Sequence, residues 1–236
     1  MRGISKQMSL TCIFAALLIF VMSANISAQS RFKSTKTPIQ KGVWAMQFEI
    51  NQDFDLSSFQ GAMISVKKHT SRSKAWRLGL DINTSLSEND SQNIYNDSTV
   101  GWSDGESDRY SFDINLQRIF YASPRAKVSL FYGFGPSAGY TYSKNKSTSK
   151  TPTSNRLSIT KTKTFDVGLV GVLGVEWFFS KNMSLLGEYG ADIIYLWSKN
   201  ERTQTNPNGD ITYSKGTSKR FDFDNILVKF GLSVYF

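Results

Sequence analysis

Hydrophobic and polar residues alternate at every second position along most of the chain after residue 41, and helical spacing appears nowhere at comparable length. This period-2 pattern predicts β-strands with one apolar and one polar face. The last residues are the clearest case, because every second side chain from Ile226 to Phe236 is apolar. Seven other segments follow the same pattern, at residues 44–50, 62–66, 76–82, 110–116, 128–134, 165–179 and 185–197. We predict eight strands.

The connections between these segments alternate strictly between short and long. The short ones lie near residues 68–74, 121–125 and 180–182, and the long polar ones near 51–58, 87–108, 143–164 and 198–220. All turns of one kind then lie at the same end of an up-and-down antiparallel sheet. The alternation continues over more residues in 127–142 and 161–179 than in the other segments, which predicts that these two strands protrude from the membrane as a hairpin.

The apolar face of this sheet is predicted to point outwards. A soluble eight-stranded barrel buries its apolar face and leaves polar residues in water. Here the polar face carries glycines and ionisable side chains, which suit a narrow, crowded interior. Tryptophans also cluster at strand ends, as Trp44, Trp76, Trp177 and Trp197. Aromatic side chains at strand ends are typical of the two lipid–water interfaces of a transmembrane barrel.

The first 28 residues are predicted to be a cleaved secretory signal peptide. A basic start with Arg2 and Lys6 precedes an apolar stretch and then small residues up to Ala28. Residues 29–41 form a basic leader, and residues 42–236 form the barrel. The single cysteine, Cys12, leaves with the signal peptide, so the mature chain has none to form a disulfide.

The C-terminal Val234-Tyr235-Phe236 resembles the last strand of bacterial outer-membrane proteins, whose assembly machinery recognises a terminal aromatic residue. The predicted assembly signal is therefore Leu232, Val234 and Phe236. Together with the strands and loops, the chain resembles the small outer-membrane β-barrel family, the OmpA-type transmembrane domain and its OmpX-like relatives.

This resemblance implies an all-β, eight-stranded antiparallel up-and-down transmembrane barrel with short periplasmic turns and long external loops. It also implies a monomer integral to the outer membrane of a Gram-negative bacterium. Its expected partners are outer-membrane lipids, lipopolysaccharide and the barrel-assembly machinery.

An eight-stranded barrel has an interior just wide enough for its own side chains, so we expect no open channel. Charges inside it must be paired, because an isolated buried charge costs several kcal/mol. We predict an ionic network in the lumen formed by Glu49, Arg77, Asp81, Arg109, Asp113, Glu176, Glu188, Asp192 and Lys229. A narrow or gated pore through this polar lumen is the alternative.

Enzymatic activity is not expected. Lipid A-modifying barrels of this size use a histidine base near the external rim, because a serine hydroxyl needs a base to become a nucleophile. The one histidine, His69, falls in a short turn at the predicted periplasmic end, where we expect it to be solvated. One histidine and no mature cysteine also exclude metal sites built on these residues, and we expect no cofactor.

Two of the long loops carry opposite charges. All charged residues between 87 and 108 are acidic, and those between 143 and 164 are basic, namely Lys144, Lys146, Lys150, Arg156, Lys161 and Lys163. The basic loop could contact lipopolysaccharide phosphates or an anionic partner, or simply be a solvated face. The charges of these two loops cancel, so neither loop accounts for the net charge of +9, and nucleic-acid binding is not indicated. The sequence predicts a structural, surface-interaction or adhesion role.

Overall fold

The computed structural model describes residues 37–55, 60–95, 99–151 and 154–236. The predicted signal peptide and most of the basic leader lie outside the described residues. The strands are β1 (Trp44–Asp55), β2 (Gln60–His69), β3 (Lys74–Tyr95), β4 (Thr99–Tyr121), β5 (Val128–Thr151), β6 (Ser154–Trp177), β7 (Met183–Thr205) and β8 (Ile211–Tyr235).

The eight strands form one closed barrel in chain order, and every neighbouring pair is antiparallel. The outward face is apolar as predicted, with Leu169 and Leu173 more than 60% exposed. The inward face of the same strands is polar and buried, as at Gln47 and Glu49 of β1. The predicted fold class is confirmed. No helix long and apolar enough to cross a membrane is found among the residues described.

The short turns of the chain lie at one end of the barrel, which the resemblance implies to be periplasmic. They connect β2 to β3, β4 to β5 and β6 to β7, as predicted. At the opposite end, three of the predicted long loops are instead continuations of the strands. Residues 87–108, 143–164 and 198–220 belong almost entirely to the hairpins β3–β4, β5–β6 and β7–β8.

These hairpins could not be recognised by alternation because both of their faces are polar above the membrane. Their backbone amides and carbonyls pair across the strands regardless of side-chain polarity. The β7–β8 hairpin ends in a tight turn closed by Asn206 N–H donating to the Asp210 carbonyl over 2.8 Å. Gly209 has a φ of 85° in this turn, a conformation that favours glycine.

The first two strands are much shorter than the other six. The β2–β3 register ends at Met63 opposite Asp81, and the β1–β8 register ends at Asn51 opposite Lys229. Among the described residues, the ring is therefore complete only in its lower part. Above it, β3 to β8 continue as a tall six-stranded sheet, which we call the upper sheet.

A bulge in β8 corrects one detail of the predicted apolar faces. Glu188 pairs with Lys229, whereas Gly190 pairs with Ile226, so β8 contains an extra residue. Below the bulge the outward residues are even-numbered, including Phe230. Above it they are odd-numbered, and Phe221 is 69% exposed. The alternation predicted from Ile226 to Phe236 therefore changes register at the bulge, where β8 has one residue more than β7.

Outward aromatic residues form two bands that set the height of the membrane. On β6, Trp177 lies in the lower band and Phe165 in the upper band. At a rise of about 3.3 Å per residue and a tilt of about 45°, these residues are about 28 Å apart along the membrane normal. This height is close to the apolar band of roughly 25 Å in outer-membrane barrels. Because β6 begins at Ser154, its upper half lies above the membrane.

Candidate functional site

The lumen is filled with side chains at its periplasmic end. Ile39 and the lower inward residues Ile119, Phe131 and Tyr235 form a buried apolar cluster across the barrel. The Thr37 hydroxyl donates a hydrogen bond to the Pro124 carbonyl over 3.0 Å. The end of the predicted leader is therefore part of the folded barrel, where it closes the lower opening.

His69 lies in this lower layer and is fully buried. Its ring contacts those of Tyr121 and Tyr235, with centroids 5.5 and 5.9 Å away. The prediction that His69 is a solvated turn residue is wrong, because it is the last residue of β2 and shares the inward face with Lys67.

A buried ion pair lies next to the apolar layer. Lys67 Nζ is 3.0 Å from the Glu176 carboxylate, and both side chains are almost completely buried. The same carboxylate accepts hydrogen bonds from the hydroxyls of Tyr121, Ser184 and Tyr235, at 2.5 to 2.7 Å. Glu176 is thus compensated by one cation and three hydroxyl donors, as a buried carboxylate requires.

A second buried cluster is centred on Arg77. Its guanidinium contacts Glu188 at 2.6 Å and Glu49 at 3.3 Å. It also donates to the Gln117 side-chain carbonyl, with Arg77 Nε 2.8 Å from the oxygen. The planar guanidinium can satisfy several acceptors at once, which suits it to bridge strands β1, β3, β4 and β7. Together, the Lys67 and Arg77 clusters fill the lower lumen.

The remaining predicted lumen residues lie higher. Asp81 and Asp113 are opposite each other in the β3–β4 register, and Asp113 accepts a hydrogen bond from Ser111. Lys229 and Asp192 are also only partly buried. Arg109, near the upper membrane boundary, is exposed and takes no part in the buried clusters. The predicted single network is therefore two buried clusters with a looser polar layer above them.

Sequence reasoning missed several members of these clusters. Lys67 lies just beyond the predicted segment 62–66, yet it shares the inward face of β2 with Met63 and Ser65. Tyr121 and Tyr235 are aromatic residues on inward faces, where their hydroxyls bind Glu176. Assigning the odd and even positions of each strand to opposite faces of the sheet could have identified all three residues.

No group of three or more His, Cys, Asp or Glu side chains that could hold a metal is found within the described ranges.

The residues of the predicted basic loop are in strands β5 and β6. The loop assignment is wrong because these polar segments pair continuously, from Lys144 opposite Lys161 to Thr151 opposite Ser154. The register also separates the basic residues by face. Arg156 lies on the inner face, and the others lie on the outer face, at Lys144, Lys146, Lys150, Lys161 and Lys163.

The acidic residues of β4 lie beside the basic residues of β5. Glu106 and Lys146 form a cross-strand ion pair with a distance of 2.7 Å, and Asp108 is opposite Lys144. The hydrogen bond from Lys146 lowers the pKa of Glu106 below its ordinary value. The outer face of the upper sheet therefore has an acidic side at β3–β4 and a more basic side at β5–β8.

A belt of lysines follows immediately above the upper aromatic band on β5 to β8. On neighbouring strands, Lys163 and Lys199 are opposite each other, two residues above the aromatic Phe165 and Trp197. We define the lysine belt as Lys144, Lys161, Lys163, Lys199 and Lys219. Its residues share the outer face with the lipid-facing aromatic residues, so their ammonium groups point sideways from the barrel.

The predicted assembly signal lies in the strand that closes the barrel. Val234 pairs with Met46, and Leu232 pairs with Phe48. Phe236 exchanges backbone hydrogen bonds with Trp44, at 2.9 and 3.1 Å. Recognition of these side chains by assembly machinery stays a prediction.

The chain is similar in fold to solved outer-membrane proteins. OprG from Pseudomonas aeruginosa aligns with 11% identity and a TM-score of 0.42, covering 84% of this chain and 97% of that one. CarO from Acinetobacter baumannii aligns with 9% identity and a TM-score of 0.37, covering 86% and 100%. Ail, the attachment invasion locus protein of Yersinia pestis, aligns with 12% identity and a TM-score of 0.34, covering 84% and 100%. No curated protein matches the chain.

The family assignment comes from the sequence itself. The family model described as outer membrane protein beta-barrel domain matches residues 14–233, which is nearly the whole chain. The closed eight-stranded barrel, its apolar outer face and its two aromatic bands agree with this match. The chain belongs to the outer membrane protein beta-barrel domain family and is an integral protein of the outer membrane.

Proposed function

We propose that this protein is a non-enzymatic outer-membrane barrel that works through the outer face of its upper sheet, in surface interaction or adhesion. One observation carries the proposal. The lower lumen is filled by the Lys67 and Arg77 clusters, whereas the charged residues outside the membrane are displayed on a tall sheet. The protein is proposed to act as a monomer that the barrel-assembly machinery inserts.

Lipopolysaccharide is the proposed lateral partner of the lysine belt. Phosphate groups of lipid A lie at the boundary between the acyl chains and the sugars, at the height of the upper aromatic band. Lys163 and Lys199 point sideways just above that band, where their charges can meet these phosphates. Two acidic residues lie opposite belt lysines, Asp108 opposite Lys144 and Glu201 opposite Lys161, but the five lysines outnumber these two carboxylates. Lys215 is left out of the belt because it pairs with Glu201 at 3.6 Å.

The belt is tested by neutralising Lys161, Lys163 and Lys199 to glutamine and measuring the affinity for lipid A in detergent. We expect weaker binding than wild type at low salt, and a smaller difference at high salt, because exposed charges are screened. The matched control changes Lys74, Lys127 and Lys181, exposed lysines at the periplasmic end, to glutamine. Equal binding by wild type and both triple variants would contradict the proposed lipid contact.

A narrow or gated pore is the second candidate function. It is supported by the partly buried acidic residues Asp81, Asp113 and Asp166 in the middle of the lumen, which would favour cations. Such a path would require both buried clusters below it to open. Steady single-channel currents from the folded protein would favour this alternative.

A lipid A-modifying enzyme is the third and least supported candidate. A histidine base for outer-leaflet lipid would have to lie near the external rim, whereas His69 is buried at the periplasmic end. Incubation of the purified protein with lipid A is expected to leave the lipid mass unchanged. A mass change that depends on the protein would overturn the non-enzymatic proposal.

A further inference from the structure

An exposed tryptophan lies far above the membrane on the outer face of the upper sheet. Trp102 of β4 is 54% exposed and shares its face with Tyr110 of the upper aromatic band. At the same rise and tilt as before, it lies roughly 20 Å above Tyr110 along the membrane normal. A membrane-interface role cannot explain an indole at this height.

Trp102 borders an open surface pocket of about 380 Å³ that is also lined by Asp104, Thr148 and Lys150. These residues are two adjacent cross-strand pairs, Trp102 opposite Lys150 and Asp104 opposite Thr148. Within the described part of the chain, none of the four side chains has a hydrogen bond or an ion pair. The neighbouring Glu106 and Lys146, by contrast, are bound to each other.

We propose that this surface pocket, the Trp102 pocket, binds a neutral hexopyranose unit from the core oligosaccharide of neighbouring lipopolysaccharide. The flat indole offers an apolar face for the C–H side of a sugar ring. The Asp104 carboxylate can accept hydrogen bonds from ring hydroxyls, and Lys150 and Thr148 can donate to sugar oxygens. The charges of Asp104 and Lys150 cancel, which suits an uncharged polyol better than an anionic sugar.

The source of the sugar follows from the direction and height of the pocket. Its side chains point sideways, parallel to the membrane, into the layer where lipopolysaccharide sugars of the same membrane stand above lipid A. The pocket also continues the face of the lysine belt, because on β5 only Lys146 lies between the belt residue Lys144 and the pocket residue Thr148 on that face. The inference rests on the proposed lipopolysaccharide contact and names its sugar specificity.

The pocket is tested with lipid-free core oligosaccharide, titrated calorimetrically into the folded barrel in detergent. Wild type is expected to bind it, whereas Trp102→Ala weakens binding about tenfold or more, as expected for a central aromatic contact. Asp104→Asn and Lys150→Gln are expected to weaken binding less. Tyr213→Ala, which removes an equally exposed aromatic residue from β8, is the matched control and is expected to bind like wild type. Heat-modifiable gel mobility verifies that each variant is folded.

Two results would overturn the inference. One is equal binding by wild type and Trp102→Ala, and the other is wild-type preference for unrelated glycans over core oligosaccharide, which would identify a foreign partner. The lysine-belt triple variant separates this inference from the proposed function. It is expected to bind lipid A more weakly and oligosaccharide as tightly as wild type, whereas Trp102→Ala is expected to bind oligosaccharide more weakly and lipid A as tightly as wild type.

Discussion

Buried charges in the lower lumen are each held by several partners from different strands. Lys67 of β2 contacts Glu176 of β6, which also binds Ser184 of β7 and Tyr235 of β8. A buried ion pair of this kind adds less to stability than its contacts suggest, because both charges lose their hydration. Removing one partner, however, leaves the other charge uncompensated.

The Lys67–Glu176 pair therefore predicts a non-additive double-mutant cycle. Lys67→Met alone is expected to lower the free energy of unfolding by about 3–5 kcal/mol. Adding Glu176→Leu should restore part of that loss, because no unpaired charge then remains. Urea titration of the protein in lipid vesicles measures all variants. Additive effects of the two substitutions would contradict a direct buried pair.

Close strand packing at Gly135 leads to a second prediction. A Cβ there would overlap the Leu116 carbonyl oxygen and approach the Gln117 Cα within 2.9 Å. Gly135→Ala is therefore expected to destabilise the barrel by about 2 kcal/mol or more. Gly171→Ala is the control, since its nearest atom, the Ala191 carbonyl oxygen, is 3.9 Å away. Equal unfolding free energies for the two variants would contradict the packing described around Gly135.

At the scale of strands, alternation predicted the membrane-spanning part well and the external part poorly. Inward positions such as Glu49, Arg77 and Glu188 were identified because their neighbours along the strand point to lipid. Above the upper aromatic band, Lys150 and Arg156 lie on opposite faces, but both faces meet water. Without a contrast in polarity, the sequence contains no period-2 signal, and only backbone pairing reveals the strands.

The upper part of the β5–β6 hairpin is expected to be unnecessary for folding. Residues 146–159 can be replaced by Asn-Gly, a dipeptide suited to tight hairpins, because Asn145 and Thr160 already pair. The shortened protein should keep its heat-modifiable mobility, since the removed residues lie above the lipid. Deleting 130–135 and 170–175 removes the same net length from the membrane-spanning part and is expected to prevent folding. Failure of the first variant to fold would mean that the upper sheet is required for assembly.

The whole molecule combines a closed lower barrel with an open upper sheet. The clusters around Lys67 and Arg77 connect most of the strands around the lumen and leave its lower half filled. The sheet above displays an acidic side, the lysine belt and the Trp102 pocket on its outer face. This division predicts that interaction occurs outside the barrel rather than through it.

The most direct test is single-channel recording after reconstitution of the protein into planar lipid bilayers. Heat-modifiable mobility of the same preparation verifies that the barrel is folded. A filled lower lumen predicts no stepwise currents at moderate voltage and neutral pH, while lipopolysaccharide binding is retained. Steady, cation-selective steps from the folded wild-type protein would contradict the closed lumen and favour the pore.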